Sequence, residues 1–251
     1  MTSPRYEVIG IAGIPEVKPG DDVARLVVEA AQRQDTPLRS ADLVVVGQKI
    51  VSKAEGRLVR LPDVTPSAVA QAMAAGLGRD ARLVEVILRE SRRVVRMDRG
   101  LLITETHHGW ICANAGVDQS NVDTDTVALL PEDCDRSARV LRERVRALTG
   151  AEVAVLIADT FGRPWREGLT NVAIGVSGFT PLRSYLGECD PAGRPLQATI
   201  LAVADELASA AEPVMGKLDR IPAAIVRGLP LTASEEGSKP LLRDPARDLF
   251  R

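Results

Sequence analysis

Three short runs in this chain are apolar at almost every position: Ala41 to Val46, Val153 to Ala158 and Ala223 to Arg227. Runs of this length, rich in valine and isoleucine and bounded by turn residues, read as buried strands. Helical patterns lie between and around them. Pro19-Gly20-Asp21-Asp22 offers a turn and an N-cap, and Val23, Leu26, Val27 and Ala30 then repeat at the spacing of an amphipathic helix. Further helices are expected over Pro66 to Gly76, Asp80 to Ser91, from Pro131 to a stop at Gly150, and over Thr199 to Val214. Val8 to Pro15 reads as a short strand, and Leu101 to Thr106 and Gly109 to Val117 as a pair joined at His107-His108, both turn residues. The glycine-rich segment Gly162 to Gly193 is expected to form loops and short strands around a site, and the polar tail from Thr232 to be loosely held. This order predicts one α/β domain, an α+β arrangement around a mixed sheet.

With 251 residues, 45% apolar and 26% charged, the chain can bury a large core, and its formal charge of −2 gives no long-range attraction for nucleic acid. Two arginine clusters, at positions 92, 93, 96 and 99 and at 136, 139, 142, 144 and 146, read as solvated helix faces or as local sinks for an anion. Cys112, Cys134 and Cys189 lack both zinc-knuckle spacing and the density of a disulfide scaffold, which fits a reducing cytoplasm. No run reaches the eighteen or so apolar residues of a membrane span, and no secretory start is visible.

Asp118 and Asp159 each follow a short apolar run and precede small or polar residues, as Val117-Asp118-Gln119 and Ala158-Asp159-Thr160. Carboxylates leaving the core at strand ends are a natural seat for a hard cation that carries substrate phosphates. The plainer reading makes each a cap or turn former. Asn121 and Thr160 add neutral oxygen donors a short step away. Lys49 and Lys53 follow the strand that ends at Gly47, where they either neutralise a polyphosphate or sit as surface lysines of a strand–loop junction. Neither Gly216-Lys217-Leu218 nor Gly237-Ser238-Lys239 supplies a P-loop, and GxGxxG and GxSxG are missing too.

Several longer motifs stand in order: Gly13-Ile14-Pro15-Glu16 with Pro19-Gly20-Asp21-Asp22, Val51-Ser52-Lys53-Ala54-Glu55-Gly56-Arg57, Asn114-Ala115-Gly116-Val117-Asp118-Gln119-Ser120-Asn121, Asp159-Thr160-Phe161-Gly162-Arg163-Pro164-Trp165-Arg166, and Val203-Ala204-Asp205-Glu206. Together they resemble the γ-glutamyl ligases of coenzyme F420 biosynthesis over nearly the whole chain. The resemblance implies GTP-dependent joining of L-glutamate to the lactyl carboxylate of a deazaflavin precursor through an acyl phosphate, with further γ-linked glutamates to follow. It implies magnesium or manganese, with potassium as a further cation, and an intertwined homodimer.

By position, the resemblance makes Asp118 and Asp159 ligands of one cation and Thr160 of a second. Asp118, Asp159 and Lys53 become the catalytic set. Ile14, Pro15, Glu16, Val17, Gln48, Lys53, Asn121, Met215, Gly216 and Lys217 become contacts of the guanine nucleotide. Lys217 stands where archaeal relatives can offer a glutamate to the second metal, which leaves that cation either held more weakly or held by nucleotide phosphates and water. Arg163 and Arg166 are candidates to bind a substrate carboxylate or phosphate. A nitroreductase-like domain that follows the ligase in some relatives is not expected here, so residues 1–251 are read as a single ligase domain. Two other readings stand beside it: a metal-dependent phosphohydrolase that gives the phosphoryl group to water, and a non-catalytic deazaflavin-binding protein that has kept the fold.

Overall fold

The computed structural model describes residues 5–119 and 124–248. Along the chain run β1 (Glu7–Gly10), α1 (Val23–Arg33), β2 (Leu43–Gly47), α2 (Gln48–Ala54), β3 (Leu58–Arg60), α3 (Ala68–Leu77), α4 (Ala81–Arg89), β4 (Ser91–Asp98), β5 (Leu101–Thr106), β6 (Ile111–Ala113) and β7 (Thr126–Ala128). The second half adds α5 (Cys134–Thr149), β8 (Ala154–Arg163), β9 (Arg166–Ser177), β10 (Arg183–Ser184), β11 (Ile200–Leu201), α6 (Val203–Met215) and β12 (Ala223–Arg227).

The main sheet has the order β1-β12-β2-β8-β9 and is mixed: β2 and β8 are parallel, and the other neighbours are antiparallel. Its three central strands are the three apolar runs, and the reason for their unbroken apolarity is cover on both faces. Val44, Val46, Val155, Ile157 and Ile225 face a core shared with α1 and α5, while Leu43, Val45, Leu156, Ala158, Ala224 and Val226 face α6. A third apolar cluster holds α3 and α4 against β5 and β7 through Leu83, Val84, Val86, Ile87, Leu102 and Val127. Each valine, leucine or isoleucine among them contributes about 1.5–3 kcal/mol of burial.

Local chemistry sets the helix ends. Asp22, Ser67, Asp80 and Asp133 accept backbone N–H bonds as N-caps. Gly78 and Gly150, at φ 64° and 73°, end α3 and α5 in the left-handed conformation. The helix expected to stop at Gly76 therefore runs through that glycine.

Four expectations change. Of the first arginine cluster, residues 92, 93 and 96 lie on strand β4, where Arg92 and Arg93 both reach Glu105, and Arg99 lies in the turn that follows, so it is not a helix face. Within the segment Gly162 to Gly193 the first half is largely the twelve-residue strand β9, and only the second half, after Ser177, has the expected turns and the two-residue strand β10. Ile200 and Leu201 pair as strand before α6 begins at Val203, so the helix starts later than Thr199. The tail is held: Ser238 is buried, its N–H donates to Asp135 at 2.8 Å and its hydroxyl to the Ile174 carbonyl at 3.1 Å, and Leu241 packs on the core.

Candidate active site

The carboxylates at 118 and 159 reach the same place by different routes. Asp159 is not at a strand end, because β8 continues to Arg163 and pairs Asp159 with Val172 of β9. Asp118 arrives on a tight left-handed turn: Asn114, Ala115 and Gly116 have φ of 55°, 55° and 71°, and Asp118 then pairs with Ala128 through two backbone hydrogen bonds. A β-carbon on Gly116 would stand 2.7 Å from Leu130 Cγ, in a backbone region that favours glycine. Gly116→Ala is expected to lower stability by about 2 kcal/mol, read as a shift of the urea midpoint. An unchanged midpoint would show that Leu130 moves aside without cost.

Burial pushes the Asp159 carboxyl up to about 6; the charge of Asp118 adds to the rise, and the Thr160 N–H, Lys49 and Lys217 oppose it. Asp118, Lys49 and Lys217 are therefore all within electrostatic reach of Asp159. Lys49 Nζ lies 2.8 Å from Asp118 Oδ2. Helix α2 explains how: it places Lys49 and Lys53 one turn apart on a common side, and Lys49 is the one that reaches the carboxylates. Lys53, buried among apolar neighbours, pairs instead with Glu16 of the Ile14 to Val17 turn. Missing from the sequence reading was the helix itself, since a seven-residue element beginning at Gln48 leaves little periodicity to detect.

The expected nucleotide contacts also adjoin one another. Ile14 and Val17 share a core with Ile50 and Val51 of α2. A β-carbon on Gly47 would meet the Pro222 carbonyl at 3.4 Å and Met215 Cε at 3.7 Å, so the end of α6 with Met215 and Gly216 sits on the junction of β2 and α2. Gln48 is buried; its side-chain oxygen accepts from Ser52 at 2.7 Å, and its amide Nε2 has no partner among the described residues. Thr160 bonds Asn171 and Lys217. Asn121 lies outside the described residues.

Arg163 donates to the Glu167 carbonyl at 2.9 Å, at the exposed end of the β8–β9 hairpin, where Arg166 is exposed too. His107 and His108 sit in the β5–β6 turn as expected, each on backbone carbonyls. A recess of about 690 Å³ lies beside them, lined by Arg57, Arg92, Trp110 and Asp135 among others. None of the expected site residues among the described ones lines it. Among the described residues no group of three histidine, cysteine or acidic side chains converges on one point, and no helix is long and apolar enough to cross a membrane.

The mixed sheet brings these carboxylates, lysines and the buried amide to one region, and the class of protein follows from comparison: residues 12–228 match the family F420-0:Gamma-glutamyl ligase, and the chain belongs to that family. It is 45% identical to the coenzyme F420:L-glutamate ligase of Methanothermobacter thermautotrophicus, over 97% of this chain and 98% of that one. Similar proteins of the same name occur in Methanopyrus kandleri, 48% identical over 94% of each chain, and in Archaeoglobus fulgidus, 40% identical over 98% of this chain and 97% of that one.

Proposed function

We propose that this chain joins L-glutamate to the carboxylate of a coenzyme F420 precursor, using GTP and magnesium or manganese, and that it extends the product with γ-linked glutamates. The observation that carries the reading is the shared electrostatic site of Asp118 and Asp159, approached by two lysines. Asp118 and Asp159 would hold a hard cation between them, in the way that one or two carboxylates commonly do where substrate phosphates bind. That cation supplies neutralisation of charge on the phosphates.

Amide formation from a carboxylate needs a better leaving group than oxide. A precursor carboxylate oxygen attacks the γ-phosphorus of GTP, the bond from that phosphorus to the β–γ bridging oxygen breaks, and GDP leaves. The glutamate amine then attacks the acyl carbon, the carbon–oxygen bond to phosphate breaks, and the amine gives up a proton. Lys49 adds a fixed positive charge beside the carboxylates, and Lys53 exchanges Glu16 for a phosphate oxygen. Gln48 Nε2 offers its N–H to a carbonyl of the base; an unpaired buried donor otherwise costs about 1–3 kcal/mol. The β8–β9 hairpin exposes Trp165 at 80% and Leu169 at 69%, apolar surface suited to a second copy of the chain in a homodimer.

Incubation with GTP, manganese, glutamate and deazaflavin precursor is expected to yield products heavier by glutamyl units, read by mass spectrometry. GTP turnover without a mass change would point to a phosphohydrolase. Precursor binding with neither turnover nor mass change would point to a binding protein.

A further inference from the structure

Four side chains around Thr160 close a ring of polar contacts. Thr160 Oγ1 donates to Asn171 Oδ1 at 2.7 Å, and Asn171 Nδ2 donates to Glu212 Oε2 at 2.7 Å. Glu212 Oε1 pairs with Lys217 Nζ at 3.2 Å, and Lys217 Nζ donates to Thr160 Oγ1 at 2.5 Å. The ring has one sense. An ionised carboxylate only accepts, so Glu212 fixes which end of the Asn171 amide faces it; the Asn171 oxygen must then accept, and it takes the single proton of the Thr160 hydroxyl. What remains on that hydroxyl is its two acceptor lone pairs, and Lys217 takes one of them.

Three elements hold the ring: Thr160 on β8, Asn171 on β9 beside it, and Glu212 on the last turn of α6. Lys217 enters from just beyond that helix, past Gly216 at φ 59°, where a β-carbon would fall 2.1 Å from Asp219 Oδ2. The ammonium is thus aimed back at the strand that carries Asp159. A hydroxyl oxygen that already accepts from an ammonium is a poor ligand for a divalent ion, because the two cations would stand against the same small oxygen and repel each other.

We propose that Lys217 is a built-in cation of the phosphate site: its ammonium takes the position at Thr160 that a second divalent ion would use, so the site binds one divalent ion per nucleotide. The inference rests on the nucleotide- and metal-dependent reading above. It makes Lys217 a residue that positions phosphate and sets metal stoichiometry. With two N–H groups on Thr160 and Glu212, its third serves a phosphate oxygen.

The test is a manganese titration of the intact protein saturated with the β,γ-imido analogue of GTP, with free manganese followed by electron paramagnetic resonance. One bound ion per chain is expected. In Lys217→Glu the new carboxylate joins Glu212 and the Thr160 hydroxyl as a set of oxygen donors, and the stoichiometry is expected to rise to two. Lys217→Gln, which removes the charge and leaves an amide oxygen, is expected to bind its second ion more weakly. Lys217 is more than half exposed, so both variants are expected to fold, and a thermal melt checks this. Two ions in the unaltered protein, or a single ion in both variants, would overturn the inference. No ion in the unaltered protein would overturn the metal-dependent reading beneath it, a different and recognisable outcome.

Discussion

Asp159→Asn is expected to stabilise the metal-free protein at pH 7 by roughly 2 kcal/mol while cutting ligase turnover by about 10³. Both effects come from the same buried charge. An ordinary aspartate titrates near 3.8, and burial raises Asp159 to about 6. Between those values the folded chain holds a proton that the unfolded chain has released, so stability falls as pH rises from about 4 to about 6. Above that window the full cost of the buried carboxylate is present. Asparagine has no charge to bury and removes this cost, so the pH dependence in that window should flatten. The same substitution takes away half of the carboxylate pair, and a cation that contributes several kcal/mol to phosphoryl transfer is then poorly held. Urea unfolding at pH 5 and pH 7, with and without manganese, together with product masses, reads both arms. Normal turnover in the variant would remove Asp159 from the chemistry, and an unchanged metal-free midpoint at pH 7 would deny the strain assigned to its charge.

Much of the fold was legible because the strongest signals were local. The central strands showed as apolar runs, α1 and α5 as apolar stripes with caps at Asp22 and Gly150, and the β5–β6 turn at its paired histidines. Strand β4 was hidden by its arginines: with residues 92 and 93 on Glu105 and 96 on Asp98, alternation is lost to charge pairs and to two register shifts against β5. Strand β9 was hidden by its glycines, yet Gly175 is there for close approach, since a β-carbon would lie 2.4 Å from the Cys134 carbonyl where α5 crosses the sheet. The two aspartates could be picked from their positions after apolar runs. Their neighbours could not, because whether Lys49 or Lys53 faces Asp118 depends on a single turn of helix. The ring joining Thr160, Asn171, Glu212 and Lys217 comes from elements distant in sequence, and no spacing announces it.

One side chain inside the first apolar run carries the largest stability effect expected of any change away from the site. Asp42, 1% exposed, precedes β2 and accepts both Nε and Nη2 of Arg227 at 2.8 Å as well as the Arg39 N–H at 2.7 Å. Arg227 ends β12, so the pair ties the two central strands together at the end of the sheet remote from Gln48. Asp42→Ala leaves the partly buried guanidinium with the Pro37 carbonyl as its remaining hydrogen-bond acceptor among the described residues and the charge of Glu7 within electrostatic reach, so the loss is expected at about 3 kcal/mol, the low end for breaking a buried pair. Against the 5–15 kcal/mol typical of a folded domain that is a large share. The urea midpoint is expected to fall accordingly, with Asp42→Asn intermediate because it keeps the shape and part of the hydrogen bonding. Below the unfolding transition, turnover per folded molecule is expected to stay near that of the unaltered protein, since Asp42 and Gln48 sit at opposite ends of β2. A variant of Asp42 that unfolds at the normal urea concentration but turns over slowly would refute this assignment, because the effect would then run through the site rather than through the sheet.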